Sequence, residues 1–321
     1  METYLGIDVG SITTKFAVVD KDGELITHIY LLTQGKPVQM VQQGLKQIEQ
    51  QLPKEVDICG VATTGSARYL AGVIVGADLV KNEITSHAVA SLRYIPEVQT
   101  IIEIGGQDSK IIIIRDGIVT DFGMNTVCAA GTGSFLDHQA LRLNMSIEEF
   151  AKRALDSKTP VRIAGRCTVF AETDMIHKQQ MGHLTEDILY GLCQALVRNY
   201  LNNVGLGKAI RPPVVFQGGV AFNQAIVKAL QEELNTEIIV PPHHELMGAI
   251  GAALLAHEEM ISSNNGSKFK GFEAGEEKHH ISSFECKACP NLCEIAQISL
   301  NGQVLARWGG RCDLWERSPS N

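Results

Sequence analysis

The stretch GIDVGSITTKFAVVDKDG, residues 6–23, decides the fold of this chain. An apolar strand runs into a polar turn, and a second apolar strand follows that turn. A two-residue hairpin turn needs neither clustered hydroxyls nor a lysine. Backbone N–H groups, hydroxyls and one cation together suit an anion such as phosphate. The turn therefore predicts a phosphate-binding hairpin, built from Gly10, Ser11, Thr13, Thr14 and Lys15.

A second stretch, IIEIGGQDSKIIIIRDGIVTDF at residues 101–122, repeats this layout. It has an apolar strand, a Gly-rich polar turn ending in lysine, a β-branched strand and an Asp-Gly turn. In this comparison Gly10 corresponds to Gly106, and Lys15 corresponds to Lys110. Two such units about a hundred residues apart predict a duplicated α/β domain with a cleft between its halves.

The segments around the two hairpins carry helix and strand patterns. Residues 37–51 have apolar positions at helical spacing after an initial proline. Residues 146–155 begin with Ser146 and place Glu149 three residues later, which predicts a capping box. Residues 185–204 predict a long amphipathic helix. These patterns fit helices that cover the two predicted sheets.

Composition and charge narrow the class of protein. The chain has 321 residues, 45% of them apolar and 20% charged, as in a soluble globular protein of about two domains. The net charge of −8 argues against a broad nucleic-acid-binding face. The sequence shows no signal-peptide pattern and no apolar run long enough to span a membrane, so we expect a cytoplasmic protein. Eight cysteines in such a chain are more often free, catalytic or metal-bound than paired in disulfides.

The glycines match neither a Walker A loop nor a GxGxxG fingerprint. The chain instead resembles the superfold of actin, Hsp70 and sugar kinases over residues 3–257. GIDVGSITTK is similar to its first phosphate motif, IIEIGGQDSK to its second, and VFQGGVAFN to its adenosine motif. ATTGSARYL and ELMGAIGAAL stand where its two connecting elements would lie. The resemblance implies a duplicated actin-like ATPase fold with mixed-sheet lobes at 1–100 and 101–257.

The resemblance also implies roles for individual residues. Asp8 and Asp108 would hold Mg²⁺ through water or position the attacking water. Separately from the resemblance, the position of Glu172 five residues after Cys167 predicts that it lines the nucleotide cleft. The other residues implied to bind ATP or ADP are Gly10, Ser11, Thr13, Thr14, Lys15, Gly105, Gly106, Gln107, Gly218, Gly219, Asn223 and Gly248.

Two cysteines indicate a subfamily. NTVCAAGTGSFLD, with Cys128, and GRCTVFAETDMI, with Cys167, resemble segments of the ATP-dependent activators of 2-hydroxyacyl-CoA dehydratases. Related proteins reduce benzoyl-CoA or double-cubane iron–sulfur proteins. The resemblance implies that the two cysteines of each subunit hold one [4Fe–4S] cluster across the two-fold axis of a homodimer. It also implies ferredoxin or flavodoxin as the electron donor.

The C-terminal part carries a second metal signal. Residues 258–283 are rich in Gly, Ser, Asn, Lys and Glu, which predicts a linker. A Cys-rich tail follows at 284–321. Four clustered cysteines in a segment too small for its own core predict a metal site, and zinc and a second Fe–S cluster both stay open. These cysteines are Cys286, Cys289, Cys293 and Cys312.

The sequence is compatible with three functions. The favoured interpretation is an ATP-hydrolysing, homodimeric iron–sulfur activator that passes a low-potential electron to a dehydratase or a double-cubane protein, with neither nucleic acid nor membrane as a partner. A small-molecule kinase of the same superfold, of the sugar type, is the main alternative. A nucleotide- and zinc-dependent assembly factor is the third.

Overall fold

The computed structural model describes residues 1–53, 55–165, 167–263, 266–312 and 314–315. These residues form two compact units. The first unit comprises Met1–Ser86 and the described residues from Gly248 onward, and the second comprises His87–Met247. Both divisions come earlier in the chain than the predicted limits of 1–100 and 101–257. Positions 264–265 of the predicted linker, and 313 and 316–321 of the predicted tail, lie outside the described residues.

The first unit is built on a five-stranded sheet whose central strand ends with the first four residues of the stretch 6–23. The central strand β1 pairs antiparallel with β2 and parallel with β4, and the sheet order is β3-β2-β1-β4-β5. Leu5, Ile7 and Val9 are fully buried, as befits a strand at the centre of the sheet. The strands are β1 (Glu2–Val9), β2 (Thr13–Asp20), β3 (Leu25–Leu32), β4 (Asp57–Thr64) and β5 (Leu79–Val80).

Three helices belong to this sheet: α1 (Pro37–Gln51), α2 (Arg68–Val75) and α9 (Met247–Ser263). The small-residue helix α9 lies directly against β1. A Cβ atom added to Gly6 would stand 1.9 Å from the carbonyl oxygen of Ala249, so the two backbones are in contact. The chain thus returns to its first sheet after completing the second, and this packing explains why the unit boundary falls at Gly248 rather than after α9.

The second unit repeats the first sheet. Its order is β10-β9-β6-β7-β8, and β6 pairs antiparallel with β7 and parallel with β9, as β1 does with β2 and β4. The equal order confirms the expected mixed α/β duplication. The strands are β6 (Thr100–Ile104), β7 (Ser109–Arg115), β8 (Ile118–Asn125), β9 (Val214–Gln217) and β10 (Ile238–Ile239).

The helices of this unit follow the predicted segments with one difference. The α5 helix starts as a capped helix, because Ser146 Oγ accepts a hydrogen bond from Glu149 N at 3.1 Å. The predicted amphipathic helix is α-helical only to Tyr200, continues as a π-turn over Leu201–Gly205, and is buried on most of its sides. The helices are α3 (Glu83–Tyr94), α4 (Gly133–Arg142), α5 (Ile147–Leu155), α6 (Thr168–Gln180), α7 (Thr185–Tyr200) and α8 (Gln224–Leu234).

The C-terminal residues form a three-stranded antiparallel sheet of β11 (His279–Glu285), β12 (Glu294–Leu300) and β13 (Gln303–Trp308). Ile298 is fully buried within the core of the first unit, and Leu305 and Trp308 pack against that core. The segment predicted as a linker contains the last turns of α9, a short 3₁₀ helix at Phe272–Glu276 and the start of β11. In the part of the chain that the structure describes, no helix is long and apolar enough to cross a membrane.

Candidate functional site

The first hairpin places a buried carboxylate beside its lysine. Asp8 and Lys15 face each other across β1 and β2, and Lys15 Nζ lies 3.1 Å from Asp8 Oδ2. Two glycines make room for this carboxylate. A Cβ atom on Gly65 would stand 2.7 Å from Asp8 Oδ1, and one on Gly248 would stand 2.6 Å from Asp8 Oδ2. Gly248, predicted from the sequence as a nucleotide contact, thus lies where α9 closely approaches Asp8.

The second hairpin repeats this arrangement with one more carboxylate. Lys110 is almost completely buried, and its Nζ lies 3.0 Å from Glu103 Oε2 and 2.9 Å from Asp108 Oδ2. Glu103 faces Lys110 across β6 and β7. A Cβ atom on Gly218 would stand 2.8 Å from Glu103 Oε1. A buried lysine with two carboxylates is well compensated, which limits its desolvation cost.

The backbone register corrects the predicted correspondence between the hairpins. Gly10 N donates to Thr13 O at 2.9 Å, and Gly105 N donates to Asp108 O at 3.0 Å. Gly105, rather than Gly106, is therefore the counterpart of Gly10. By the same register Asp108 corresponds to Thr13, and Glu103 is the counterpart of Asp8.

Glu103 is thus a site residue that the sequence analysis missed. Its signal was present in the spacing, because Asp8 precedes Lys15 by seven residues and Glu103 precedes Lys110 by seven residues. The sequence-based prediction chose Asp108 instead, because it belongs to the polar Gly-Gly-Gln-Asp turn. Asp108 does lie in the turn, and its carboxylate is less buried than that of Glu103.

The turn residues of the hairpins do not all face outward. Thr14 is fully buried, and its hydroxyl shares a 2.9 Å hydrogen bond with the hydroxyl of Thr33. Thr33 Oγ1 in turn donates to Gly10 O at 2.8 Å. The sequence predicts a phosphate contact for Thr14, whereas its hydroxyl lies inside the protein and stabilises the turn through Thr33. Ser11 and Gln107 are exposed on the turns.

The predicted adenosine motif, residues 215–223, begins in β9 and continues into the turn that follows it. Gly218 has a φ of 93°, a conformation that favours glycine, and its N–H donates to His244 O at 2.8 Å. Gly219 begins the 3₁₀ helix Gly219–Phe222. Asn223 caps α8, because its Oδ1 accepts from Ala225 N at 3.0 Å and from Ile226 N at 3.3 Å.

The motif includes one exposed aromatic side chain, Phe222, which was not among the nucleotide contacts predicted from the sequence. The Phe222 side chain is 64% exposed and meets the His244 ring edge-on, with ring centroids 4.3 Å apart. His244 Nδ1 lies 3.1 Å from Gly218 O. The exposed Phe222 ring therefore stands next to Gly218 with the mostly buried His244 ring packed against it, and an exposed aromatic ring is a group on which a nucleobase can stack.

The loop of Cys128 is held by one buried side chain. Asn125 Nδ2 donates to Cys128 O at 2.7 Å, and Asn125 Oδ1 accepts from Cys128 N at 2.9 Å. A short 3₁₀ turn, Ala129–Gly131, then leads into α4. Cys128 itself is half-buried and forms no disulfide.

Cys167 stands directly before α6 as its N-cap residue and is also half-buried. The sequence analysis predicts a nucleotide contact for Glu172, whereas its Oε1 lies 2.6 Å from Arg142 Nη1 of α4. Its Oε2 lies 3.7 Å from His138 Nδ1, also in α4. The carboxylate therefore links the two helices that follow the two cysteines.

The four C-terminal cysteines lie at one end of the C-terminal sheet. Cys286 follows β11, Cys293 precedes β12, and Cys286 N donates to Cys293 O at 2.8 Å. Cys312 comes shortly after β13. A hydrogen bond from the Trp315 indole N–H, at 3.2 Å from Cys286 Sγ, lowers the pKa of that thiol. Among the described residues, no group of three or more His, Cys, Asp or Glu side chains is arranged to hold a metal ion.

Comparison with known proteins establishes the family. Residues 5–256 match the BadF/BadG/BcrA/BcrD ATPase family, so the chain belongs to this family of ATPases. The match ends near the end of α9. The C-terminal sheet lies beyond it.

Relatives of known role share about a third of their residues with this chain. It is 36% identical over 260 residues to the (R)-2-hydroxyglutaryl-CoA dehydratase activating ATPase of Acidaminococcus fermentans, covering 79% of this chain and 97% of that one. It is 36% identical over 270 residues to the 2-hydroxyisocaproyl-CoA dehydratase activator of Clostridioides difficile, covering 82% and 98%. The solved structure of such an activator from Clostridium difficile with bound ADPNP is 33% identical, with a TM-score of 0.72, and covers 82% of this chain and 97% of that one.

Proposed function

We propose that this chain is a cytoplasmic, homodimeric electron activator that couples ATP hydrolysis to the delivery of low-potential electrons. Reduced ferredoxin or flavodoxin supplies one electron, and the acceptor is a partner metalloprotein such as a 2-hydroxyacyl-CoA dehydratase or a double-cubane cluster protein. The observation that carries the proposal is that Cys128 and Cys167, both half-buried and outside any disulfide, come just before helical segments linked by Glu172. The dehydratase activators among the relatives support the choice of acceptor.

Each hairpin contributes a lysine and carboxylates to the binding of Mg-ATP. Lysine ammonium groups and backbone N–H groups at a turn are suited to phosphate oxygens. Mg²⁺ takes oxygen ligands and usually keeps several waters, so Asp8, Glu103 and Asp108 fit it as direct or water-mediated partners. The remaining proposed contacts of the nucleotide are Gly10, Ser11, Thr13, Gly105, Gly106, Gln107, Gly218, Gly219 and Gly248.

The two cysteines fit one half of a [4Fe–4S] site. Such a cluster takes four thiolates and supplies one-electron redox chemistry when bound. A two-fold axis converts two cysteines per chain into four. Cys167 stands at the N-terminus of α6, where the helix dipole stabilises negative charge such as that of a thiolate-ligated cluster.

Exposed apolar side chains flank both cysteines. Val127 is 94% exposed, Val169 is 65% exposed and Phe170 is 67% exposed. Large apolar side chains that cluster in the open commonly mark an interaction surface. A second copy of the chain, seated over the cysteines, would remove these side chains from water, which supports the homodimer.

The C-terminal cysteines form a separate proposed metal site for zinc or a second Fe–S cluster. Because neighbouring strands of the C-terminal sheet are antiparallel, the segments that carry these four cysteines lie at the same end of the sheet. Thiolate sets of four suit both metals. Because this sheet lies outside the family match, we propose that it serves partner docking or electron relay rather than ATP hydrolysis.

Metal analysis tests the proposal. The chain is purified under strictly anaerobic conditions, and iron and zinc are measured in the wild type, Cys128→Ala and Cys289→Ala. A bridging cluster predicts about two irons per chain. We expect Cys128→Ala to lose this iron and Cys289→Ala to lose only the metal of the tail. Cys59→Ala, which changes a half-buried cysteine of β4, serves as the control and keeps both metals.

The alternatives give different results. Zinc alone, unchanged by Cys128→Ala, would exclude the redox activator. ATP turnover that depends on an added sugar would then favour a kinase, and negligible turnover would favour an assembly factor.

A further inference from the structure

The second phosphate hairpin and the loop of Cys128 are joined by hydrogen bonds within the second unit. Gly133 N donates to Gly105 O at 2.9 Å, and Ser134 N donates to Gly106 O at 2.9 Å. The Ser134 hydroxyl donates to the same Gly106 oxygen. The first turn of α4 is therefore attached directly to the hairpin turn.

The same loop is attached to the hairpin at its other end. Asn125 is the last residue of β8 and stands opposite Ser109 in the pairing of β7 with β8. Asn125 is buried, and its side chain holds both backbone groups of Cys128. Cys128 thus lies in a ten-residue segment, 125–134, whose two ends are bonded to the second hairpin.

The middle of this segment packs on α7, which contacts the hairpin as well. A Cβ atom on Gly131 would stand 3.2 Å from the backbone of Tyr200, so the fit is close. The Tyr200 hydroxyl donates to Lys110 O at 2.8 Å, and burial raises its pKa, which keeps it a neutral donor. Asn199 Nδ2 lies 3.4 Å from Ala130 O. A shift of the hairpin therefore reaches the Cys128 segment by two direct contacts, at Asn125 and at the start of α4, and by one indirect contact through α7.

We infer that Asn125 is the positioning residue that transmits the nucleotide state of the second hairpin to Cys128. This inference rests on the proposed function, because it requires the hairpin to contact the nucleotide phosphates. Packed segments tied at both ends move as units rather than stretch. Asn125 is the member of the network whose side chain bonds the cysteine residue itself.

Hydrogen–deuterium exchange of the full chain tests this, with Mg-ADP and Mg-AMPPNP as probes and iron content measured on the same samples. In the wild type we expect Mg-AMPPNP, relative to Mg-ADP, to change exchange of amides 105–110 and 126–132 by about threefold or more. In Asn125→Ala the change at 105–110 remains and the change at 126–132 falls by about half or more, because the contacts through Ser134 and Tyr200 persist. Asn125→Asp keeps the acceptor for Cys128 N and retains part of the effect. Asn203→Ala, an exposed change in the same unit, serves as the control and behaves as the wild type.

The outcomes distinguish nucleotide binding at the second hairpin from its coupling to the Cys128 segment through Asn125. A nucleotide effect at 105–110 without one at 126–132 in the wild type would overturn the coupling and leave nucleotide binding intact. An unchanged effect at 126–132 in Asn125→Ala would overturn the role of Asn125. If neither segment responds, the nucleotide role of the hairpin fails, and the inference fails with it. Iron content reports on the cluster independently of all three outcomes.

Discussion

At the scale of single residues, the central result is the equivalence of Asp8 and Glu103. Each is the cross-strand partner of a lysine, and each carboxylate is approached by a glycine that has no room for a Cβ atom. Asp108 is a turn residue of the second hairpin only. The duplication therefore assigns one strand carboxylate to each hairpin, and it gives the second hairpin an additional one.

Glu103→Gln tests this equivalence. Because an uncharged side chain is a poorer partner for Mg²⁺ and for the attacking water, we expect ATP turnover to fall by about a hundredfold. Lys110 keeps Asp108 as an ionic partner, so the fold should hold. Turnover and Mg-AMPPNP affinity are measured beside Asp8→Asn and Asp108→Asn. The equivalence is wrong if Asp108→Asn lowers turnover strongly while Glu103→Gln leaves it within twofold of the wild type.

At the scale of secondary-structure elements, a carboxylate in the first turn of α7 organises the loop that follows α5. Asp187 Oδ1 accepts from the Ser157 hydroxyl at 2.7 Å and from Thr159 N at 2.9 Å. The Ser157 hydroxyl is the largest cause of a lowered pKa of Asp187, and the Thr159 groups add to it. The charged form is therefore stabilised in the folded protein.

This predicts a pH-dependent effect of Asp187→Asn. The folded pKa lies below the ordinary value of 3.8, so the charge stabilises the fold above that pH, and the contribution is lost as pH falls further. We expect the free energy of unfolding to drop by about 1–3 kcal/mol at pH 7, and the difference from the wild type to shrink below about pH 4. Urea titrations at both pH values measure it, with the exposed Asp156→Asn as control. A difference independent of pH would show that the carboxylate charge is not the cause.

At the scale of the whole molecule, the C-terminal sheet is part of the first unit rather than a separate module. Ile298 of β12 lies fully buried in the core that also contains Leu5 and Leu45. From the sequence, this region is predicted to be a tail too small for a core of its own. In the structure its apolar side chains pack into the core of the first unit instead.

Ile298→Ala tests this arrangement. Because the removed atoms leave a cavity in a shared core, we expect the free energy of unfolding to drop by about 2–5 kcal/mol. Trp308 and Trp315 report on the C-terminal region by fluorescence, and far-UV circular dichroism reports on the whole chain. Both signals should shift in Ile298→Ala, whereas Ile281→Ala, at an exposed position of β11, should leave both nearly unchanged. A shift confined to fluorescence would show that the sheet folds independently of the first unit.

The sequence by itself determined the two hairpins, their duplication and the two cysteines before helices. These features are local, because strand alternation, a Gly-rich turn and a helix start each depend on neighbouring residues. Tertiary structure alone decided that the Thr14 hydroxyl faces inward and that Glu172 joins α4 to α6. Only the tertiary structure, likewise, shows that α9 from Gly248 onward and the C-terminal sheet belong to the first unit. Such outcomes depend on strand register and long-range packing, which bring together residues far apart in the chain and leave no mark in any short window of sequence.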